Sequence, residues 1–380
     1  MEMGVYKKRD IALSHGVGSI VFDVEGKKYI DFTSGIGVAI LGHNHPKLVE
    51  AVHTQATKMI TCNEAFANLQ RVELLERLTT LWKNATGKSG KVFLCNSGTE
   101  ANEAAIKLAR AKTGRKALVA AMNGFHGRTA GSLALTFKLK YRERFEPLIG
   151  PITRIRMNDI EGLKNAVTNE TAAVFLEVIQ GEGGIRPADV AFLKAAREIC
   201  TEKGALLVFD EVQAGMGRTG KMFSFENIGV CPDAISLAKG LGGGVPIGAI
   251  IANEEFCVFK NLEHGSTFGG NPFACAAANA TLRTIEEEKL LELAHENGLW
   301  LAQKLNEMMS RKPSIVQVRG KGLFIGLELK IESTPIVKAA QAKGLLILTA
   351  GDTTLRMLPP LNTSREVYEE ALTVLESVLP

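Results

Sequence analysis

The sequence predicts an α/β fold in which a mostly parallel central sheet has helices on both faces and is joined to a smaller α+β unit. Three features predict it. Short apolar runs typical of buried strands recur along the middle of the chain, as KVFLC, ALVAA, TAAVFLEVI, LLVF, AISLA and IGAIIA. Helical patterns separate several of them, as in EANEAAIKLARAK and residues 188–203. The C-terminal part then alternates short strands with helices, as in VRGKGLFIGLELK, LLILTAG and TLRMLPPL.

The length of 380 residues allows one large and one smaller domain. We predict an N-terminal segment, 1–45, that packs with the small domain, a large domain over 46–310, and a small α+β domain over 311–380. Hydrophobic residues make up 46% of the chain and charged residues 23%, which is ordinary for a soluble globular protein.

Charge and cysteine usage exclude several classes of protein. The net charge of +4 and the lack of a noticeable Lys/Arg-rich run argue against a nucleic-acid partner. The N-terminus has no apolar signal region and no apolar run is long enough to span a bilayer, so no membrane association is expected. The six cysteines are scattered without a C-x-x-C pair, which favours reduced thiols in the cytoplasm.

The N-terminal elements are predicted in order. Residues 16–32 form a hairpin around the Glu25-Gly26 turn, a glycine-rich loop follows, and a helix begins at Pro46. A second amphipathic helix covers 70–81. His43 and His45 suggest a metal site only weakly, because no third ligand lies nearby in sequence, so we expect turn residues and no bound metal.

The segment KVFLC-NSGT-EANEAAIKLARAK is a strand, a tight polar turn and a helix. The start of such a helix offers free backbone N–H groups and a favourable dipole to a phosphate. The alternative is that Ser97 or Thr99 only caps the helix. The segment alone does not decide between the two, but the chemistry of the central stretch favours phosphate binding.

That central stretch contains two apolar runs, each followed by a charged residue: Asp210 after LLVF and Lys239 after AISLA. Ligands of α/β sheets bind at the carboxyl ends of the strands, and an unpaired buried charge is costly. The two side chains either pair with each other or serve a cofactor. In the second case the carboxylate keeps a ring nitrogen protonated and the lysine forms an imine with an aldehyde, as a pyridoxal phosphate enzyme requires.

Seven segments together resemble the class III pyridoxal phosphate aminotransferases, in the same order and nearly end to end: NSGTEANEAAIKLAR, GFHGRT, EVIQGEGG, FDEVQAGMGRTGK, SLAKGLGGGVPIGA, HGSTFGGNP and LRMLPPL. The resemblance implies the fold type I of pyridoxal phosphate-dependent transferases, pyridoxal 5'-phosphate as cofactor, and a homodimer with shared active sites. It also implies that the terminal (δ) amino group of N2-acetyl-L-ornithine is transferred to 2-oxoglutarate by a ping-pong mechanism, in arginine biosynthesis.

The resemblance assigns the cofactor ring to five residues. Lys239 forms the covalent link and then carries the proton between substrate and cofactor. Asp210 pairs with the ring nitrogen. Val212 packs on one ring face, Phe125 stacks on the other, and Gln213 approaches the phenolic oxygen.

The phosphate of the cofactor is assigned to a second group of residues, again by resemblance. Ser97, Gly98 and Thr99 hold it at the start of the helix. Thr267 and Ser266 complete the site from the other subunit of the dimer.

The resemblance also assigns two arginines to substrate selection. Arg128 meets the carboxylate of acetylornithine and, in the second half-reaction, the side-chain carboxylate of glutamate. Arg356 binds the α-carboxylate of glutamate or 2-oxoglutarate, and Glu182 neutralises Arg356 when the other substrate is bound. For each arginine, an ordinary ion pair is the alternative. Ile36 stands where free-ornithine aminotransferases have a tyrosine, which favours an acylated substrate.

Other functions stay open at this point. Succinylornithine, acetyl-lysine, ornithine and 4-aminobutyrate are alternative substrates, and a racemase, decarboxylase, aminomutase or non-catalytic homologue would share the fold. A P-loop nucleotide hydrolase is suggested by LLVFDE and by Gly-Lys-Ser within 85–89. That motif requires a glycine where Trp82 stands, and the segment follows a helix instead of a strand.

Overall fold

The computed structural model describes residues 3–380 and begins with an antiparallel three-stranded meander. Its strands are β1 (Leu13–Val17), β2 (Ile20–Asp23) and β3 (Lys28–Asp31). The pairing of β2 with β3 confirms the predicted hairpin, whose turn contains Gly26 at a φ of +83°. The strand β1 was not predicted, because its sequence LSHGV is mostly exposed and has no apolar alternation.

Three helical elements follow: a short turn α1 (Ser34–Gly37), and the helices α2 (Pro46–Ala56) and α3 (Leu69–Thr86). Helix α2 begins at Pro46 as predicted. Helix α3 is longer than the predicted 70–81, since Asn68 caps its first turn and the chain leaves the helix only at Gly87, in a left-handed conformation.

The centre of the molecule is a seven-stranded sheet in the order β4-β12-β11-β10-β7-β5-β6. A separate two-stranded ribbon is formed by β8 with β9. The strands in chain order are β4 (Gly90–Cys95), β5 (Ala117–Ala121), β6 (Ile152–Ile155), β7 (Thr171–Leu176), β8 (Ile179–Gln180), β9 (Arg186–Pro187), β10 (Leu206–Asp210), β11 (Ala234–Leu237) and β12 (Gly248–Asn253).

The sheet is mostly parallel, as predicted, with one exception. Strand β12 runs antiparallel to both of its neighbours, because it follows β11 through a short connection that has no crossover helix. Two details differ from prediction. The edge strand β6 was missed, and the run TAAVFLEVI forms two strands, since the chain turns at Glu177.

Helices cover both faces of the sheet. They are α4 (Gly98–Thr113), α5 (Ala130–Leu135), α6 (Ile160–Ala166), α7 (Val190–Lys203), α8 (Pro272–Glu287) and α9 (Leu290–Arg311). Alternate residues of a strand point to opposite faces. In β10, Leu206 and Val208 share a core cluster with residues of α4, whereas Leu207 and Phe209 share another cluster with residues of α7. This two-sided burial explains why the strands read as continuous apolar runs.

The C-terminal region is an α+β unit built on an antiparallel sheet, β13-β14-β17-β16. Its elements are β13 (Ile315–Lys321), β14 (Phe324–Leu329), α10 (Ser333–Ala342), β15 (Leu345–Leu346), β16 (Leu348–Ala350), β17 (Thr354–Met357) and α11 (Arg365–Val378). Strand β15 pairs in parallel with β3, so the N-terminal meander and the C-terminal region share a sheet. The domain division 1–45, 46–310 and 311–380 stays a proposal, and its first two residues lie outside the described chain.

Across residues 3–380, none of the helices has the length and apolarity that a membrane crossing requires.

Candidate active site

A cavity of about 410 Å³ lies where β10 and β11 end. Asp210 is the last residue of β10 and is aligned with Ser236 of the parallel strand β11, which ends just before Lys239. Both charged residues line the cavity. Ten of the residues singled out from the sequence line it together: Ser97, Gly98, Thr99, Phe125, Arg128, Glu182, Asp210, Val212, Gln213 and Lys239.

The carboxylate of Asp210 is buried and accepts three hydrogen bonds. Its Oδ2 accepts from Asn102 Nδ2 and pairs with His126 Nδ1, both at 2.8 Å, and its Oδ1 accepts from the backbone N–H of Val212 at 3.1 Å. Oδ1 therefore keeps the capacity to accept one more hydrogen bond. Such a carboxylate is held in place on one side and remains available to a ligand on the other.

Sequence reasoning missed His126 and Asn102. His126 lies inside the segment GFHGRT, in which only Phe125 and Arg128 were assigned a role. The second is a polar residue among the buried alanines of α4. A polar side chain on an apolar helix face usually has a buried partner, and that signal could have identified Asn102.

Two buried ionisable groups, His126 and Glu177, interact electrostatically with this carboxylate. Burial alone would lower the pKa of His126, but its hydrogen bond with Asp210 and the charges of Asp210 and Glu177 raise it overall. Burial raises the pKa of Glu177 to about 7. The Glu177 carboxylate also accepts from the backbone N–H groups of Phe125, at 3.0 Å, and Gly181, at 2.9 Å, so it fixes the turn that follows β7.

Lys239 has a backbone φ of +45°, which is uncommon for a residue with a side chain. Loss of hydration, together with the positive charge of Arg356, lowers the pKa of Lys239 to about 8, against the opposing charges of Glu182 and Asp210. A lysine with such a pKa has a substantial neutral fraction near neutral pH and is a better nucleophile. Among the described residues Lys239 has no direct ion pair with Asp210, so mutual pairing does not explain the two charges.

The start of helix α4 forms another wall of the cavity. Ser97 caps the helix by accepting from the N–H of Glu100 at 3.3 Å, as the capping alternative proposed. A side chain at Gly98 would collide with Val212, since an added Cβ would lie 2.7 Å from Val212 Cγ2. The glycine thus lets the backbone N–H groups of the first helical turn reach the cavity.

The hydroxyl of Thr99 is occupied by the loop that carries Arg128. Its Oγ1 accepts from the backbone N–H groups of Arg128, at 3.1 Å, and Thr129, at 3.2 Å, and lies 2.5 Å from Ser132 Oγ. Thr99 therefore joins the first turn of α4 to the loop that carries Arg128. This side-chain role was not anticipated from the sequence.

Ser266 and Thr267 do not line the cavity of this single chain. Ser266 Oγ accepts from Asn96 Nδ2 at 3.1 Å and from the N–H of Gly269 at 3.0 Å, and Thr267 is exposed on the surface. Their assigned role requires a second copy of the chain, as the resemblance implied.

Arg356 lies on β17, is almost completely buried and approaches the cavity through two residues that line it. Its Nη1 donates to Glu182 Oε1 at 2.6 Å and to Gln213 Oε1 at 3.0 Å. Burial alone would raise the pKa of Glu182, but the charge and hydrogen bond of Arg356 lower it overall. The pairing of Arg356 with Glu182 thus exists inside the site, next to Lys239.

Arg128 is exposed and differs from Arg356 in its partners. Its guanidinium carbon lies 3.8 Å from the centre of the Tyr141 ring and 5.3 Å from that of Phe125. Within residues 3–380 its guanidinium has no ion pair with a carboxylate, so its N–H donors are available to a ligand. Tyr141 was not singled out from the sequence.

Within residues 3–380, neither the two histidines nor the Gly-Lys-Ser segment forms the site that its sequence suggested. His43 Nε2 pairs with Asp31 at 2.8 Å and His45 Nε2 lies 3.5 Å from Glu288, so both histidines have structural partners. In the described part of the chain no three His, Cys, Asp or Glu residues are grouped to hold a metal. Residues 85–89 connect the end of α3 to β4, the reverse of the strand-loop-helix order that a P-loop needs.

The residues at this site fit pyridoxal phosphate. The cavity is large enough for a small cofactor. It offers Lys239 with a lowered pKa and the carboxylate of Asp210, which can accept one more hydrogen bond. It also offers the first turn of α4, where Gly98 has no side chain to block the backbone N–H groups from a ligand. These are the aldehyde, ring-nitrogen and phosphate partners that this cofactor needs.

Comparison with known proteins finds aminotransferases that match nearly the whole chain. The family model described as Aminotransferase class-III matches residues 4–379. An acetylornithine aminotransferase from Caldanaerobacter subterraneus subsp. tengcongensis is 46% identical over 384 residues, covering 99% of this chain and 96% of the relative.

Two solved structures share the fold. The N-acetylornithine aminotransferase of Stenotrophomonas maltophilia superposes with a TM-score of 0.84 at 35% identity, covering 98% of this chain and 96% of the other. An ornithine aminotransferase of Toxoplasma gondii, described with partial occupancy of PLP at its active site, gives a TM-score of 0.93 at 30% identity, covering 99% and 92%.

Proposed function

The chain belongs to the class-III aminotransferases, and from that premise we propose that it transfers the δ-amino group of N2-acetyl-L-ornithine to 2-oxoglutarate, with pyridoxal 5'-phosphate held at Lys239. The observation that carries this proposal is that Glu182, which lines the cavity, pairs with Arg356 behind it, while Arg128 in the same cavity has no ion pair within residues 3–380. One arginine is then neutralised and the other is free, which suits an enzyme that alternates between two differently charged substrates. The relatives named for acetylornithine support the choice of substrate.

When bound, pyridoxal phosphate supplies an aldehyde for amino-group capture and a ring that accepts electrons from the substrate. Asp210 would face the ring nitrogen, and Asn102 and His126 hold its carboxylate in position. With the cofactor in place, the Nζ of Lys239 would be the group that takes up the proton from the substrate carbon and moves it. Its lowered pKa lets one amine perform both steps near neutral pH.

The two arginines divide the substrates between them. Arg128 takes the α-carboxylate of acetylornithine, whose amide carries no charge, while Glu182 keeps Arg356 neutralised. With glutamate, the α-carboxylate displaces Glu182 from Arg356, and Arg128 receives the side-chain carboxylate. Ile36 is exposed and does not line the cavity, where Val38 does, so the contrast with the tyrosine of free-ornithine aminotransferases rests on the resemblance alone.

A second copy of the chain completes the site in our proposal. Thr267 and Ser266 lie on the surface beside the start of α4, and Phe268, 65% exposed, adjoins them. Arg71 donates to the carbonyls of Gly270 and Phe66 and so connects this loop to a second exposed region, in which Phe66 is 68% exposed. An apolar surface of this kind next to the active site favours a homodimer. All six cysteines are free, which supports a cytoplasmic location.

The test is half-reaction kinetics across acetylornithine, succinylornithine, acetyl-lysine, ornithine and 4-aminobutyrate. We expect kcat/KM for the acylated ornithines to exceed that for ornithine and 4-aminobutyrate by about tenfold or more, because ornithine carries a charged α-ammonium group and 4-aminobutyrate has no acylamino group to bind. A higher kcat/KM for ornithine or 4-aminobutyrate would identify the enzyme as a different member of the family.

A further inference from the structure

A basic segment, residues 138–144 with the sequence KLKYRER, follows α5 and contacts Phe125 and Arg128, which line the cavity, although none of its own residues does. The expectation that the chain has no Lys/Arg-rich run overlooked it. Its Tyr141 ring contacts the Phe125 ring edge-on, with centroids 6.3 Å apart at 88°. The same ring has Arg128 at 3.8 Å, Lys140 Nζ at 5.5 Å and Lys138 Nζ at 6.0 Å from its centre.

These three cations are not neutralised by ion pairs in the described chain. The neighbouring Glu146 is bonded to Arg142 at 2.8 Å, and Glu143 is exposed. The charge of Lys138 helps to lower the pKa of Glu182, so its field reaches the cavity. More positive charge therefore surrounds Tyr141 than the single α-carboxylate of acetylornithine requires.

We propose that Lys138 and Lys140, arranged around Tyr141, form a subsite for a second carboxylate at the end of the substrate's N-acyl chain. The inference rests on the proposed function, in which Arg128 takes the α-carboxylate. Because all three cations share one ring, each ammonium lies within about 10 Å of the Arg128 guanidinium.

A dicarboxylic acyl chain is long enough to bridge this spacing in a bent conformation. In an extended N2-succinyl amino acid the two carboxylate carbons are about 7.5 Å apart, roughly two Cα–Cα steps. Each carboxylate adds a hydrogen bond of about 3 Å to its own cation. Fully extended, the chain with its two hydrogen bonds would span about 13.5 Å, which is more than the separation of the cations. A bent succinyl chain can therefore place one carboxylate at Arg128 and the other at the lysines, whereas an acetyl group leaves the lysines without a ligand.

The experiment compares acyl groups in the double variant Lys138→Gln/Lys140→Gln. We expect the ratio of kcat/KM for succinylornithine to that for acetylornithine to fall about tenfold, since two exposed charge contacts are lost. Arg144→Gln is the matched control, because it removes a positive charge from the same segment but outside the ring contact, and it should leave the ratio unchanged.

A second measurement avoids turnover. N2-succinyl-L-norvaline and N2-acetyl-L-norvaline lack the reacting amine, and their inhibition constants report binding alone. We expect the double variant to weaken the succinyl compound selectively and the wild-type preference to diminish at high salt. An unchanged ratio of both kcat/KM and inhibition constants would overturn the subsite. If the wild-type protein showed no activity with any acylated ornithine, that result would instead refute the proposed function.

Discussion

The floor and the mouth of the cavity are built differently. At the floor, Asp210 is buried at the end of a strand, and Asn102 and His126 hold its carboxylate. At the mouth, Arg128 is exposed on a loop and rests on the ring of Tyr141. In the proposed function, the floor provides chemistry that every substrate uses in the same way, and substitutions at the mouth can change the substrate preference without disturbing that chemistry. Substitutions at the floor should lower the rate with all substrates, and those at the mouth should alter selectivity.

The largest effect is expected at Lys239. Lys239→Ala removes both the amine that bonds the cofactor and the group that moves the proton, so kcat should fall by about a thousandfold or more for all substrates. Lys239→Arg is the matched control, because it keeps the positive charge but supplies no amine nucleophile, and it should be equally inactive. Single-turnover assays with acetylornithine and with glutamate measure this. A variant that lost activity with only one substrate would break the distinction between floor and mouth.

The next effect is expected at Asp210. Asp210→Asn preserves the size of the side chain but removes the negative charge, and kcat should fall by about a hundredfold in both half-reactions. Bound cofactor, measured by its absorption after gel filtration, should remain because the lysine and the helix start are intact. Equal kcat values for the variant and the wild type would show that this charge does not support the reaction.

A smaller, selective effect is expected at Glu182. Glu182→Gln leaves Arg356 without a charged partner, so the positive charge becomes available to glutamate at all times. The ratio of kcat/KM for glutamate to that for acetylornithine should rise about tenfold, which corresponds to about 1.4 kcal/mol. Arg128→Gln should instead lower kcat/KM for both substrates. If Glu182→Gln left the ratio where it was, the residue would not control access to Arg356.

The smallest effect concerns the pH dependence of cofactor capture by the apoprotein. The amine reacts when it is neutral, and the pKa of Lys239 is lowered to about 8. Its neutral fraction therefore rises with pH, about fivefold between pH 7 and 8, whereas a solvated lysine of pKa about 10.4 would gain tenfold over the same interval. The rate of reconstitution with pyridoxal phosphate should follow the smaller increase and level off above pH 9. A rate that continued to rise tenfold per pH unit to pH 10 would show that this pKa is not lowered.

Sequence reasoning predicted the floor better than the mouth for a physical reason. Asp210 and Lys239 follow apolar runs, and the parallel arrangement of the strands brings such ends together. The partners of Asp210 were not predictable in this way. Asn102 comes from a helix and His126 from a loop, and only the three-dimensional packing brings them to the carboxylate.

At the mouth, sequence spacing carries little information, and the family resemblance supplied the roles of Arg128, Arg356 and Glu182. It did not supply the stacking of Arg128 on Tyr141 or the side-chain contacts of Thr99. Those contacts join separate loops, whose conformations have no periodic signature in the sequence. The orientation of β12 was equally hidden, because an apolar run indicates a strand but not its direction.

The most direct test of the account is to incubate the protein with pyridoxal phosphate, reduce it with borohydride and map the modified residue by mass spectrometry. We predict that the protein becomes yellow, that reduction removes the colour, and that the pyridoxyl group is found on Lys239. A protein that stays colourless, or that carries the label only on other lysines, would contradict the central claim that this amine holds the cofactor opposite Asp210.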